Sequence, residues 1–178
     1  MTHDTIVALA ALGVAGQALF VLLVLVALVW PKGLRSAVEG YELWLAFLVS
    51  AIATGGSLFF SEIAHFVPCE LCWFQRICMY PLSIVTLLAA LANDRRIALY
   101  LLPLPLVGAV VSVYHLLVEN GVVHQTQACL ISAPGGCATK WINEFGYVTI
   151  PTLALTGFAL SFALLLFSSL PPATVRRT

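Results

Sequence analysis

The sequence predicts an all-α integral membrane protein, a four-helix transmembrane bundle plus one extra N-terminal transmembrane helix. Three observations carry this prediction. Of 178 residues, 61% are hydrophobic and 9% are charged, where a soluble domain carries roughly 25% charged residues. Mean hydropathy is +1.03. The apolar residues gather into five stretches, each near the ~20 residues that a helix needs to cross a bilayer. Net formal charge is zero and no basic patch stands out, so nucleic acid is not an expected partner.

The first stretch, residues 6–30, is uncharged and rich in Ala, Leu and Val. A cleaved signal peptide has a basic start and a shorter apolar core. Residues 1–5 carry no Lys or Arg, so the stretch reads as a retained span. Residues 31–40 form a short connector with Lys32 and Arg35, closing an N-terminal unit over 1–40. The second span covers about 41–60, with Tyr41 and Trp44 at one interface and Gly55 and Gly56 inside it. Residues 61–68 turn into the third span, which runs from 72 or 73 to 91 and includes Pro81. A polar connector, Asn93-Asp94-Arg95-Arg96, leads to the fourth span, 97–117, which contains Pro103 and Pro105. Residues 118–149 are the one long non-membrane segment. Ile131, Trp141, Ile142 and Phe145 predict that part of it lies along the membrane surface. The fifth span covers 150–170, with Pro151 in its first turn and Pro171-Pro172 stopping it before a tail over 171–178.

The chemistry centres on Pro68-Cys69-Glu70-Leu71-Cys72-Trp73-Phe74-Gln75-Arg76. Two thiols at this spacing form an exchangeable disulfide, and a helix N-terminus favours the thiolate form. Pro68 suits a first helical position. Cys69, Cys72 and Arg76 stand three and four residues apart and share a helix face. A cation beside Cys72 favours its thiolate and could hold a quinoid oxygen. An arginine inside a span marks a functional position, with interfacial anchoring as the ordinary alternative. The same Cys-x-x-Cys pair is also half of a zinc site.

A second pair, Cys129 and Cys137, brackets Pro134-Gly135-Gly136 in the long loop. It could staple the loop, or join Cys69 and Cys72 as a four-thiolate zinc site, although no second Cys-x-x-Cys is present. Lys32, Arg35, Arg95, Arg96, Arg176 and Arg177 fall on one side of a five-span topology. The positive-inside rule puts them in the cytoplasm, the N-terminus outside and the C-terminus inside. Both cysteine pairs then face an oxidising compartment. Two outward-facing pairs point to a relay, in which a partner's thiolate attacks the loop disulfide and electrons pass to the membrane-rim pair.

These residues resemble the DsbB-type disulfide bond formation proteins, close to the BdbC-like branch. The likeness runs through Phe60-Ser61-Glu62-Ile63, the cysteine–arginine block and Met79-Tyr80-Pro81. It continues with Cys129 and Cys137, then Phe145-Gly146 and Thr149-Ile150-Pro151, covering about residues 41–170. The extra first span departs from that family's four-helix plan. The resemblance implies a protein-dithiol:quinone oxidoreductase of the bacterial plasma membrane. Its implied partners are an extracytoplasmic DsbA-like thioredoxin-fold oxidase and the membrane quinone pool, ubiquinone or menaquinone. Cys129 would take the mixed disulfide with the partner and Cys137 would exchange with Cys69. Cys72 would face the quinone, and Arg76 would stabilise that pair.

Other residues carry two readings each. His115, at the outer end of the fourth span, is a candidate quinone ligand or a satisfied interfacial histidine. Glu62 and His65 are candidate proton carriers or solvated loop residues. Cys78 reads as apolar filler. Trp73, Phe74 and Trp141 could wall a ring-shaped cofactor or form an interfacial belt. Three competing functions remain: a vitamin K epoxide reductase-like enzyme, a thiol-reductant conduit, and a non-enzymatic protein stapled by disulfides. In the first, the quinone-side pair follows the loop pair in the chain, whereas here it precedes it.

Overall fold

The computed structural model describes residues 2–170, so Pro171-Pro172, Arg176, Arg177 and the rest of the tail lie outside the described residues. Helix α1 (Thr2–Val29) has Asp4 in its first turn, where the positive end of the helix dipole favours an acid. Residues 31–40, expected as a plain connector, contain a short helix α2 (Pro31–Val38). Pro31 starts it because a first-turn residue needs no backbone N–H donor. Helix α3 (Glu42–Leu58) continues into a wide π-type turn over Phe59–Ile63. There the Ala64 and Phe66 N–H groups donate to the Phe59 and Phe60 carbonyls.

Helix α4 (Glu70–Ala92) starts earlier than the expected residue 72 or 73. Cys69 is its N-cap, in extended backbone conformation, so Pro68 lies outside the helix rather than at its first position. The helix runs through Pro81 and ends at Asn93, whose left-handed backbone (φ 50°) turns its N–H back onto the last carbonyls. The fourth span is broken at its prolines into α5 (Ile97–Leu101) and α6 (Pro103–Glu119). The loop segment carries a short helix α7 (Gln127–Ser132) and a 3₁₀ turn over Gly136–Ala138. Helix α8 (Ile150–Ser169) is the last span.

Among the described residues, five helices are long and apolar enough to cross a membrane, and the protein is a multi-pass membrane protein. Helices α3, α4, α6 and α8 form the bundle, and α1 packs against α8. The bundle core contains Leu82, Phe158 and Leu165, all fully buried, with Met79 and Cys78 beside them. Gly108 on α6 leaves room for the Phe158 ring, since a Cβ there would sit 2.3 Å from its carbons. Small polar residues join the helices: Thr86 donates to the Leu82 carbonyl at 2.7 Å, and Ser50 lies 3.4 Å from its hydroxyl. Lipid offers no competing donors, so such groups find partners inside the protein.

Ile131 and Phe145 are exposed, as a membrane-surface segment requires, but Ile142 is buried. Trp141 stacks on Phe66, with centroids 5.2 Å apart, and Phe66 in turn stacks on Phe60. This aromatic column ties the long loop to the turn that precedes Cys69.

Candidate active site

The N-cap role of Cys69 shapes the site. Its sulfur accepts the Cys72 backbone N–H at 3.4 Å and lies 2.9 Å from the Cys72 sulfur. Both are free thiols, and Cys69 is buried while Cys72 is half-buried. The hydrogen bond from the Cys72 thiol, and behind it His115, bring the Cys69 thiol from 9.0 down to about 4, outweighing the upward push of burial. The Cys72 S–H therefore donates to a Cys69 thiolate.

His115 comes from α6 and is buried between the two cysteine pairs. Its Nε2 is 3.1 Å from the Cys137 carbonyl oxygen and 3.7 Å from the Cys69 sulfur. A carbonyl only accepts, so Nε2 carries the hydrogen. Nδ1 then accepts from the Gln75 amide nitrogen, 3.5 Å away. Gln75, buried one turn after Cys72, was not singled out in the sequence. A glutamine three residues from a reactive cysteine on an apolar helix was the available signal.

Cys129 and Cys137 are disulfide-bonded, and both are about 1% exposed. Thr126 caps α7 by accepting the Cys129 N–H at 3.1 Å, and Gln125 accepts the Cys137 N–H at 3.0 Å. Ser132 accepts the Glu70 N–H at 3.1 Å, so α7 is docked on the first turn of α4. The rim pair is thus reduced and the loop pair oxidised, in one packed cluster with Leu71, Val118 and Ala133. The disulfide removes Cys129 and Cys137 from any four-thiolate zinc set. Donor atoms of Cys69, Cys72 and His115 lie within 4.8 Å of one another, three where a closed zinc site uses four.

Arg76 reaches α3. Its Nε donates to the Ser57 hydroxyl at 3.0 Å and its Nη2 to the Ser57 carbonyl at 3.1 Å. Its guanidinium carbon also stands 5.1 Å from the centre of the Trp73 ring. This pairing keeps the cation inside the protein at a depth where an unpaired one is costly. Cys72, Gln75 and Arg76 line one end of an apolar cavity of about 380 Å³, and Trp141 also lines it. His115 and Cys69 do not line it. Phe74 is exposed, as are Glu62 and His65. Glu62 accepts a hydrogen bond from Ser61 at 3.0 Å.

A helical membrane bundle that docks an oxidised cysteine pair against a reduced one belongs to the class of membrane proteins built for thiol–disulfide chemistry. The chain belongs to the disulfide bond formation protein DsbB family, whose model matches residues 41–169. It is 42% identical to disulfide bond formation protein C of Bacillus subtilis over 123 residues, 66% of this chain and 85% of that protein. A probable disulfide formation protein C 1 of Bacillus anthracis is 44% identical over 130 residues, 70% of this chain and 88% of that protein. A probable disulfide formation protein of Deinococcus radiodurans is 42% identical over 133 residues, 70% of this chain and 86% of that one. No solved structure matches the chain. The protein is accordingly an oxidoreductase that acts in disulfide bond formation.

Proposed function

We propose that the protein reoxidises an extracytoplasmic thioredoxin-fold dithiol oxidase and delivers the electrons to a membrane quinone. The observation that carries this reading is the pairing of a docked loop disulfide with a reduced rim pair, beside an apolar cavity that Cys72 and Arg76 line. The cavity suits a quinone: its walls are apolar, and a thiol and a guanidinium stand at one end.

In the first step a partner thiolate attacks Cys129, breaking the Cys129–Cys137 bond and leaving Cys137 as thiolate. The partner's second thiolate then attacks the mixed disulfide, and the partner leaves oxidised with Cys129 and Cys137 both reduced. Exchange with a Cys69–Cys72 disulfide, begun by Cys137 on Cys69, restores the loop disulfide and returns the rim dithiol. A quinone supplies an acceptor for two electrons and two protons. On the protein side, closing the Cys69–Cys72 disulfide releases those two electrons and the Cys72 proton, and the second proton comes from solvent, where Cys69 left its own on ionising. Arg76 orients and neutralises an anionic oxygen at the cavity end, and Gln75 holds His115 in its Nε2–H form.

The near-complete burial of Cys129 requires the loop to lift before a partner can attack. Lys32, Arg35, Arg95 and Arg96 lie in the connectors at the opposite end of the bundle from the cysteines. The positive-inside rule then sets that end in the cytoplasm and the cysteine clusters outside. Residues 41–170 act as the catalytic unit, with 1–40 and 171–178 appended.

The test is an absorbance assay on the purified chain in detergent, with reduced thioredoxin-fold oxidase and either ubiquinone or menaquinone. Quinone loss that depends on the dithiol, and that vanishes in Cys72→Ser, is expected. Oxidation of the partner at an unchanged rate by Cys72→Ser would sink the reading.

A further inference from the structure

The family match begins at residue 41, and α1 lies wholly before it. Yet α1 supplies part of the wall of the cavity that Cys72 and Arg76 line, through Leu9, Leu12, Gly16 and Leu19. We infer that α1 forms a binding wall for the isoprenoid tail of the quinone, and so sets this protein's preference for long-tailed acceptors. This inference rests on the quinone reading above.

The packing supports a built wall rather than a loosely adjacent helix. Gly13 and Gly16 let α1 approach α8 closely: a Cβ at Gly13 would meet Leu153 at 2.1 Å, and one at Gly16 would meet Thr156 at 3.1 Å. These pairs keep a constant offset, so α1 and α8 run side by side in the same direction. Gln17 locks the register, donating to the Thr156 hydroxyl at 3.3 Å and accepting from the Tyr147 hydroxyl at 2.9 Å. Leu9 reaches across to α3, within 3.6 Å of where a Cβ of Gly56 would stand. Helix α1 thus bridges α3 and α8 on one side of the cavity. From Leu9 to Leu19 the wall extends ~15 Å along the helix axis. The cavity sets Cys72, Gln75 and Arg76, neighbours on one turn of α4, against a lining that is otherwise mostly apolar, to which α1, α3 and α8 contribute aliphatic side chains. A polar, redox-active head on an apolar tail makes the same pairing.

Two measurements on the full chain test this. Replacing Gly13 and Gly16 together by Phe pushes α1 away from α8. The KM for a quinone with a long isoprenoid tail is then expected to rise about tenfold, while a tail-less quinone changes by less than about twofold. Equal effects on both quinones, or none on either, would overturn the inference. The second measurement needs no variant. A quinone carrying a photoreactive group in its tail is expected to label residues 9–19 of the wild-type chain, with competition by unlabelled quinone. Labelling confined to the other four spans would overturn the inference, as would labelling displaced only by phospholipid, or a purified chain lacking residues 1–30 by mass. If the wild type reduces neither quinone with thiols, the quinone reading itself falls, an outcome distinct from a tail-independent KM.

Discussion

His115 holds its Nε2 3.7 Å from the sulfur of Cys69, while the same nitrogen reaches the Cys137 carbonyl at 3.1 Å. One imidazole therefore touches both redox pairs, one through a sulfur and the other through the backbone.

Cys69 is thus expected to titrate far below an ordinary thiol. The ultraviolet absorbance of its thiolate, isolated by subtracting the Cys69→Ser spectrum, should persist as pH falls from 9.0 and disappear only near 4. Because the native value is depressed, the thiolate's contribution to stability is complete above pH 9.0. It shrinks as pH falls and is gone once pH has dropped through about 4. His115→Ala removes one hydrogen bond to a charged group, worth about 1.5 kcal/mol, and should raise the midpoint by about one pH unit. An unmoved midpoint would remove His115 from the thiolate's support.

The clamp on Arg76 gives a graded prediction. Arg76→Ala should lower kcat/KM for quinone about tenfold to a hundredfold, the range for one lost charge-assisted contact. Arg76→Lys should recover little, since one ammonium cannot reproduce the two-pronged hold on Ser57. Ser57→Ala keeps the carbonyl acceptor and should cost about threefold at most. Steady-state quinone reduction by the three variants checks the order.

Packing of α6 on α8 depends on Gly108. Gly108→Ala would put a methyl group against the buried Phe158 ring, and should cost about 1–3 kcal/mol. Gly55, where a Cβ meets nothing within 4 Å, is the control: Gly55→Ala should stay within about 0.5 kcal/mol. Denaturant unfolding in mixed micelles measures both.

At the opposite end of the bundle, Arg95 forms an ion pair with Glu42, whose side chain is 4% exposed. The Gly40 N–H also donates to Glu42, at 2.8 Å. Arg95→Ala leaves a buried carboxylate short of its cation and should cost about 2 kcal/mol. The double variant with Glu42→Gln should regain part of that loss, and failure to do so would show that the pair is not what holds this end.

Much of the architecture was legible in the sequence. The helix starting at the cysteine block followed from Cys69 to Arg76, and misplacing its start by two or three residues reflects a cysteine serving as N-cap in place of Ser or Asp. The helix over Pro31–Val38 was missed because its eight residues include a proline and a glycine, which usually mark a connector. The polar ring around the thiols was largely hidden. Ser57, Gln75, Gln125 and Ser132 are ordinary residues in sequence, and acquire meaning through what they face.

By itself the sequence determined the number and approximate lengths of the spans, and it set two cysteine pairs at one end, one at the start of the third span and one in the long loop. Hydrocarbon is a uniform solvent of fixed thickness, so length and hydropathy suffice for that. Tertiary structure decided what surrounds each sulfur, where His115 points and which helix α1 covers. Those choices depend on partners far apart in the chain, 46 residues from Cys69 to His115 and 139 from Gln17 to Thr156. A helix that is apolar on every side carries no pattern to say which neighbour it meets; close packing and the pairing of its few polar groups make that choice.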